Sequence, residues 1–130
     1  MKKQALIIED NKSDQMLTKS FLEYIGCECT VTYDCDGAVK HLLSKKFDII
    51  VLDINMPQMN GIQFLIGFRE APLAKNTSVI VVSGNDLDAY LSQAEMFGAK
   101  VCIKKPLNIT KHKPLIEKYL IENIKEDLHE

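Results

Sequence analysis

The stretch FDIIVLDINMPQMNG, residues 47–61, holds the strand on which the architecture turns. Ile49, Ile50, Val51 and Leu52 are four apolar residues in a row, mostly β-branched, with no polar face among them. Such a run reads as a strand buried on both sides, the pattern of a parallel sheet covered by helices. Asp53 ends the run, and a carboxylate at the margin of a core is costly unless it is paired. That aspartate needs a reason.

On either side of this strand, apolar runs alternate with helical periodicities. Residues 4–8 read as a first strand. From 13 to 25, Leu17, Phe21, Tyr24 and Ile25 recur as one helix face, closed by Gly26. A second strand over 28–33 precedes a short helix over 36–44 with Val39, Leu42 and Leu43 inward. After the 47–52 run, Gly61 opens a helix carrying Ile62, Leu65 and Ile66, which Pro72 ends. A fourth strand over 78–82 leads into a helix with Leu87, Tyr90, Leu91 and Ala94 on one stripe, terminated by Gly98. A fifth strand over 100–104 follows. Pro114 suits the first turn of a last helix with Ile116, Tyr119, Leu120 and Ile124 on one side. Five strands alternating with five helices imply an α/β fold, a five-stranded parallel sheet doubly wound by helices. The length, 130 residues, is that of one domain, 1–130.

Composition narrows the function. With 46% hydrophobic and 26% charged residues and a formal charge of -2, the chain has no electrostatic footprint for nucleic acid. MKKQALIIED holds too few consecutive apolar residues for a signal peptide or a membrane span, so a cytoplasmic location without membrane contact is expected. Cys27, Cys29, Cys35 and Cys102 form no C-x-x-C, and His41, His112 and His129 lie at no zinc-like spacing from them. Buried reduced thiols are the expectation, with Cys27 and Cys29 on one face of a strand.

In open parallel sheets ligands bind beyond the carboxyl ends of the strands. Those ends carry Glu9 and Asp10, Asp53 followed by Asn55, Ser83, and Lys105 before Pro106. Two charges ~5 Å apart repel by on the order of 3 kcal/mol at an effective dielectric of about 20, so three carboxylates need a neutralising partner. A hard divalent cation such as Mg²⁺ suits an all-oxygen set, and the absence of cysteine and histidine from it argues against zinc. Cation, the Lys105 ammonium and the Ser83 hydroxyl are together what a transferring phosphoryl group needs, which makes Asp53 a nucleophile.

Glu9-Asp10 after the first strand, D-I-N-M-P-Q-M-N-G from Asp53, V-V-S-G-N around Ser83 and K-P at Lys105-Pro106 resemble the receiver domain of bacterial two-component response regulators, of the chemotaxis-regulator-like single-domain type. The four motifs stand in the family's order and span nearly the whole chain. The resemblance implies a flavodoxin-like strand order, 2-1-3-4-5, and a phosphoryl group accepted by Asp53 from a phosphohistidine on a sensor kinase or phosphotransfer protein. It implies Mg²⁺ held directly by Asp10, Asp53 and the Asn55 carbonyl and through water by Glu9, with Ser83 and Lys105 holding phosphoryl oxygens. A cis Lys105-Pro106 bond would aim the lysine; Lys104, opposite in the strand alternation, is taken as a solvated charge. The output would be contact with a downstream protein or a further phosphoryl handoff.

One position departs from the family: three residues before the lysine, where receivers usually carry Tyr or Phe, stands Cys102. That puts the usual aromatic switch in doubt and keeps open a receiver-fold interaction module that works without phosphorylation. A flavin mononucleotide binder would find Glu9-Asp10 repelling its phosphate. An Mg²⁺-dependent aspartyl-phosphate phosphatase would carry a D-x-D pair where this chain reads E-D-N.

Overall fold

A computed structural model describes residues 2–54, 61–70, 76–84 and 98–129, with the backbone alone for 61, 62, 70 and 121–129. In chain order the strands are β1 (Lys3–Ile8), β2 (Cys27–Thr32), β3 (Ile49–Asp53), β4 (Ser78–Ser83) and β5 (Ala99–Lys104). The described helices are α1 (Lys12–Tyr24), α2 (Cys35–Ser44), α3 (Gly61–Glu70) and α4 (Ile109–His129). The helix expected around Leu87, Tyr90, Leu91 and Ala94 lies outside the described residues, as do Asn55 and Pro72. All strands are parallel and ordered β2-β1-β3-β4-β5, so the order reverses between β1 and β3.

Strand alternation divides the core in two. Leu6, Ile8, Ile50, Leu52, Val79 and Val81 pack with Ala38 and Leu42 of α2 and with Phe64, Leu65 and Phe68 of α3. The residues between them, Ala5, Ile7, Ile49, Val51, Ile80 and Val82, pack with Phe21 and Leu22 of α1 and with Ile116 and Leu120 of α4. Every residue of β3 and β4 is buried, which is why both read as unbroken apolar runs. Each aliphatic side chain fully buried here stabilises by about 1.5–3 kcal/mol.

The four described helices occupy expected segments of the chain, but three of them present different faces. On α1, Phe21 is buried as expected, but Leu17 and Tyr24 are exposed, and Thr18 and Leu22 are buried in their stead. On α2, Val39 and Leu43 face solvent while Cys35, Ala38 and Leu42 face the sheet. On α3, Ile66 is partly exposed, and Phe64 and Phe68 go inward with rings stacked 6.0 Å apart. Ala38, small as it is, is fully buried against the sheet, a role that a hydrophobicity count does not register. Gly67, within α3, is exposed, and a Cβ added there would meet open space. Gly67→Ala is therefore expected to stabilise the chain by about 0.5–1 kcal/mol, read as a higher urea midpoint at unchanged slope. An unchanged or lower midpoint would contradict an open helical site there.

The last helix begins earlier than the proline suggests. Asn108 Oδ1 accepts from the Lys111 N–H at 2.9 Å, and the Asn108 N–H donates to His112 Nδ1 at 2.9 Å, a reciprocal cap that starts α4 at Ile109. Pro114 consequently lies inside the helix. His112 is buried and must be neutral at Nδ1 to accept; burial, with Lys111 beside it, holds its pKa below the ordinary 6.5. Above pH 6.5 this contribution is fully present; as pH falls through the lowered folded value, the unfolded state binds the extra proton and stability is lost. His112→Gln, which keeps an acceptor without a titration, should flatten that acid limb in denaturant melts. Identical pH slopes for both proteins would remove the histidine from the cap.

The four cysteines are reduced thiols. Burial pushes Cys27 and Cys35 up to about 11 and Cys29 up to about 12, so none of the three is a thiolate near neutrality. Cys27 and Cys29 both join the α1/α4 side of the core.

Candidate functional site

Register brings the strand ends together. Ile8 pairs with Leu52, so Glu9 and Asp53 follow side by side across the point where strand order reverses. Asp53 pairs with Val82, and Ser83 with Lys104, which carries Ser83 and Lys105 to the same edge. Parity does the rest: Glu9 is in phase with Ala5 and Ile7, Asp53 with Ile49 and Val51, and Lys105 with Ile103, all on the α1/α4 side. Lys104, out of phase, is exposed. The Lys105 N–H donates to the Ser83 carbonyl at 2.9 Å, and the Lys105-Pro106 bond is cis.

One ligand oxygen each from Glu9, Asp10 and Asp53 lies within 4.8 Å of the others. Glu9 and Asp53 are buried and Asp10 is exposed, so the cluster opens to solvent through Asp10. Glu9 is fixed at both ends: its N–H donates to Thr32 O at 3.0 Å, and its Oε1 accepts from the Asn11 N–H at 3.1 Å. Glu9 Oε2 is buried, makes no hydrogen bond of regular geometry among the described residues, and has the Lys105 ammonium at 2.7 Å. Ser83 is fully buried at the neighbouring strand end.

Lys105 answers much of the carboxylate repulsion that the sequence assigned to a metal. Its Nζ lies 2.7 Å from Glu9 Oε2, 2.8 Å from Asp14 Oδ2 and 3.4 Å from Asp53 Oδ2. Burial alone would lower its pKa, but Asp14, Glu9 and Asp53 outweigh burial and raise it, so the ammonium is permanent. In Glu9 it is the neutral form that gains: burial, reinforced by Asp53 and opposed by Lys105, pushes its pKa up to about 7. A single ammonium does not offset four acidic side chains.

Asp14 is the site residue that sequence reasoning missed. It stands three positions after the cap Asn11, whose Oδ1 accepts the Asp14 N–H at 2.9 Å. An acid in a first helical turn is ordinarily a complement to the helix dipole, and that reading hides it. Glu9, Asp10, Asp53, Ser83 and Lys105 do converge; Asn55 lies outside the described residues.

A doubly wound parallel sheet with an acidic pocket and a lysine at its switch point defines a class of α/β signalling domain. The family model "Response regulator receiver domain" matches residues 5–117, and the chain belongs to that family. Glu9, Asp10 and Asp53 form the acidic pocket typical of its phosphoacceptor site. The chain is 29% identical over 113 residues to a probable chemotaxis protein CheY of Rhizobium etli, covering 86% of this chain and 88% of that one. Other curated relatives are longer, and the chain spans 55% of one of them. Among solved structures it resembles a CheY-like receiver domain protein of Methanospirillum hungatei, with 25% identity, a TM-score of 0.84, and 97% and 99% of the two chains covered. The receiver domain of a sensor histidine kinase of Pseudomonas aeruginosa, solved with a magnesium ion in its active site cleft, matches at 19% identity and a TM-score of 0.82 over 92% and 98%. Among the described residues no helix is long and apolar enough to cross a membrane.

Proposed function

We propose that the chain is a single receiver domain whose Asp53 accepts a phosphoryl group from a phosphohistidine on a sensor kinase or phosphotransfer protein. The carboxylate oxygen of Asp53 attacks phosphorus, the P–N bond breaks, and its electron pair stays on the leaving imidazole nitrogen, which takes up a proton. The reading is carried by one observation: a lysine ammonium and three clustered carboxylates meet at the strand ends, with Ser83 beside them.

The donor set fits Mg²⁺, being all oxygen, and Glu9 Oε2 is a buried oxygen without a regular hydrogen bond among the described residues. Asp10, Asp53 and the Asn55 carbonyl would hold the ion directly and Glu9 through water. When bound, it would draw off the negative charge of the transferring group. This chain's own residues do the remainder. Lys105, already 3.4 Å from Asp53 Oδ2, pairs with one phosphoryl oxygen, and the Ser83 hydroxyl donates to another. The phosphorylated domain would then change its contact with a downstream protein or pass the group on.

The Mg²⁺ requirement tests this reading. An acyl phosphate should add one alkali-labile phosphoryl group per chain in the presence of Mg²⁺ and none in chelator, read by intact mass. Incorporation unaffected by chelator would overturn it. A second reading, an interaction module independent of phosphorylation, is favoured by Cys102, whose partly buried thiol packs against the α2/α3 side of the core at the position of the family's mobile ring. Partner binding that is the same with and without the phosphodonor would decide for it.

A further inference from the structure

Lys105 is tied least to the residue it would serve. Its two short contacts are to Glu9 and Asp14, at 2.7 and 2.8 Å, and its longest, 3.4 Å, is to Asp53. Glu9 belongs with Asp10 and Asp53 to the clustered carboxylates, whereas Asp14 does not. Asp14 sits on α1, its backbone fixed by the cap hydrogen bond to Asn11, and its carboxylate reaches an ammonium 91 positions away in the chain. The lysine is thus shared between the metal-type cluster and a separate acid on a helix.

We propose that Asp14 is a positioning residue that holds Lys105 back from Asp53 in the unphosphorylated protein and sets how readily the lysine transfers to the phosphoryl group. The proposal rests on the phosphoacceptor reading of Asp53 and adds to it the competitor for its lysine. An ammonium has three donors, so a phosphoryl group on Asp53, with about two negative charges, can recruit Lys105 only by loosening one of its present contacts. Glu9 is buried, and stripping it of its cation would leave a charge in the core. Asp14 is more exposed, at 36% against 2% for the Glu9 side chain, and water can take the place of the lysine there. The Asp14 contact is the one that yields. Its strength therefore sets the balance between the resting and engaged positions of the lysine. Among the groups that raise the Lys105 pKa, Asp14 stands first, which agrees with a firm hold.

The test titrates beryllofluoride, a phosphoryl mimic, with Mg²⁺ into wild type, Asp14→Asn, Lys105→Gln and the double variant, following backbone amides of residues 83 and 105 by NMR. Asp14→Asn is expected to bind the mimic about threefold to tenfold more tightly than wild type, and this gain should vanish in the Lys105→Gln background. Asp14→Glu, which keeps the charge, should return affinity towards wild type. Equal affinity of Asp14→Asn and wild type would overturn the proposal. So would the same gain without Lys105, since Asp14 would then act only as a distant charge. A readout free of the mimic is the Lys105 ammonium itself: its protons should exchange with water faster in Asp14→Asn than in wild type, without metal or mimic. Unchanged exchange would show that Asp14 does not hold the lysine even where wild type binds the mimic. A wild type that binds no mimic would overturn the phosphoacceptor reading and this proposal with it, whatever the exchange rates.

Discussion

Asp53→Asn, given Mg²⁺ and an acyl phosphate, is expected to take up no phosphoryl group while wild type takes up one. The amide is nearly the same size as the carboxylate, so β3 should keep its place in the sheet. What it lacks is the nucleophilic oxygen, and losing a nucleophile costs at least about 10³-fold in rate. The variant should also melt higher than wild type in chelator, since Asp53 lies against Glu9 and Asp10 with one lysine shared among them. Intact mass and thermal melts read the two effects separately. A phosphoryl group still present on the variant would place the acceptor elsewhere, and equal melts in chelator would mean that Lys105 already cancels the repulsion.

The second large effect is the contribution of Glu9 to the stability of the metal-free chain, which falls as pH rises. Glu9, pushed up to about 7 from the ordinary 4.5, binds a proton more tightly folded than unfolded. Between those two values the native state carries more protons than the unfolded state, so the slope of unfolding free energy against pH is negative there. The contribution is complete below pH 4.5 and is lost as pH passes through about 7. Burial is the first cause, with Asp53 adding to it and Lys105 opposing it. The shift corresponds to on the order of 3 kcal/mol. Mg²⁺ competes with that proton, so its stabilising effect should grow across the same interval by mass action. Glu9→Gln should flatten the slope in chelator and weaken the response to Mg²⁺. Denaturant melts of both proteins at several pH values, with and without Mg²⁺, measure all of this. A wild-type slope in chelator no more negative than that of Glu9→Gln across the interval would refute a protonated, buried Glu9.

The exposed apolar residues of α1 and α2 illustrate where sequence patterns stop. Leu17, Tyr24, Val39 and Leu43 fall on helical spacings with true core residues, and nothing local distinguishes them. Which stripe turns inward is set by how each helix docks on the sheet, and Thr18 and Ala38 are buried while larger neighbours at helical spacing are not. The start of α4 is hidden for a similar reason. Pro114 is a familiar opening signal, whereas the cap made by Asn108 and His112 uses a histidine one position beyond the place where a glutamate is the usual partner.

The class of fold and the neighbourhood of the site are legible in the chain alone. β3 and β4 are buried on both faces, so their composition excludes a solvated side, and Glu9, Asp10, Asp53, Ser83 and Lys105 interrupt apolar runs at the strand ends. Such signals are local, because burial acts on each strand whatever its neighbours. How the charges are shared is settled by packing instead. Lys105 meets Glu9, Asp14 and Asp53 because sheet register and the placement of α1 bring together groups far apart in the chain, 91 positions in the case of Asp14. No pattern in the chain encodes a distance between side chains; the packed sheet does, since a shift of one residue in register would turn Glu9 or Asp53 to the opposite face.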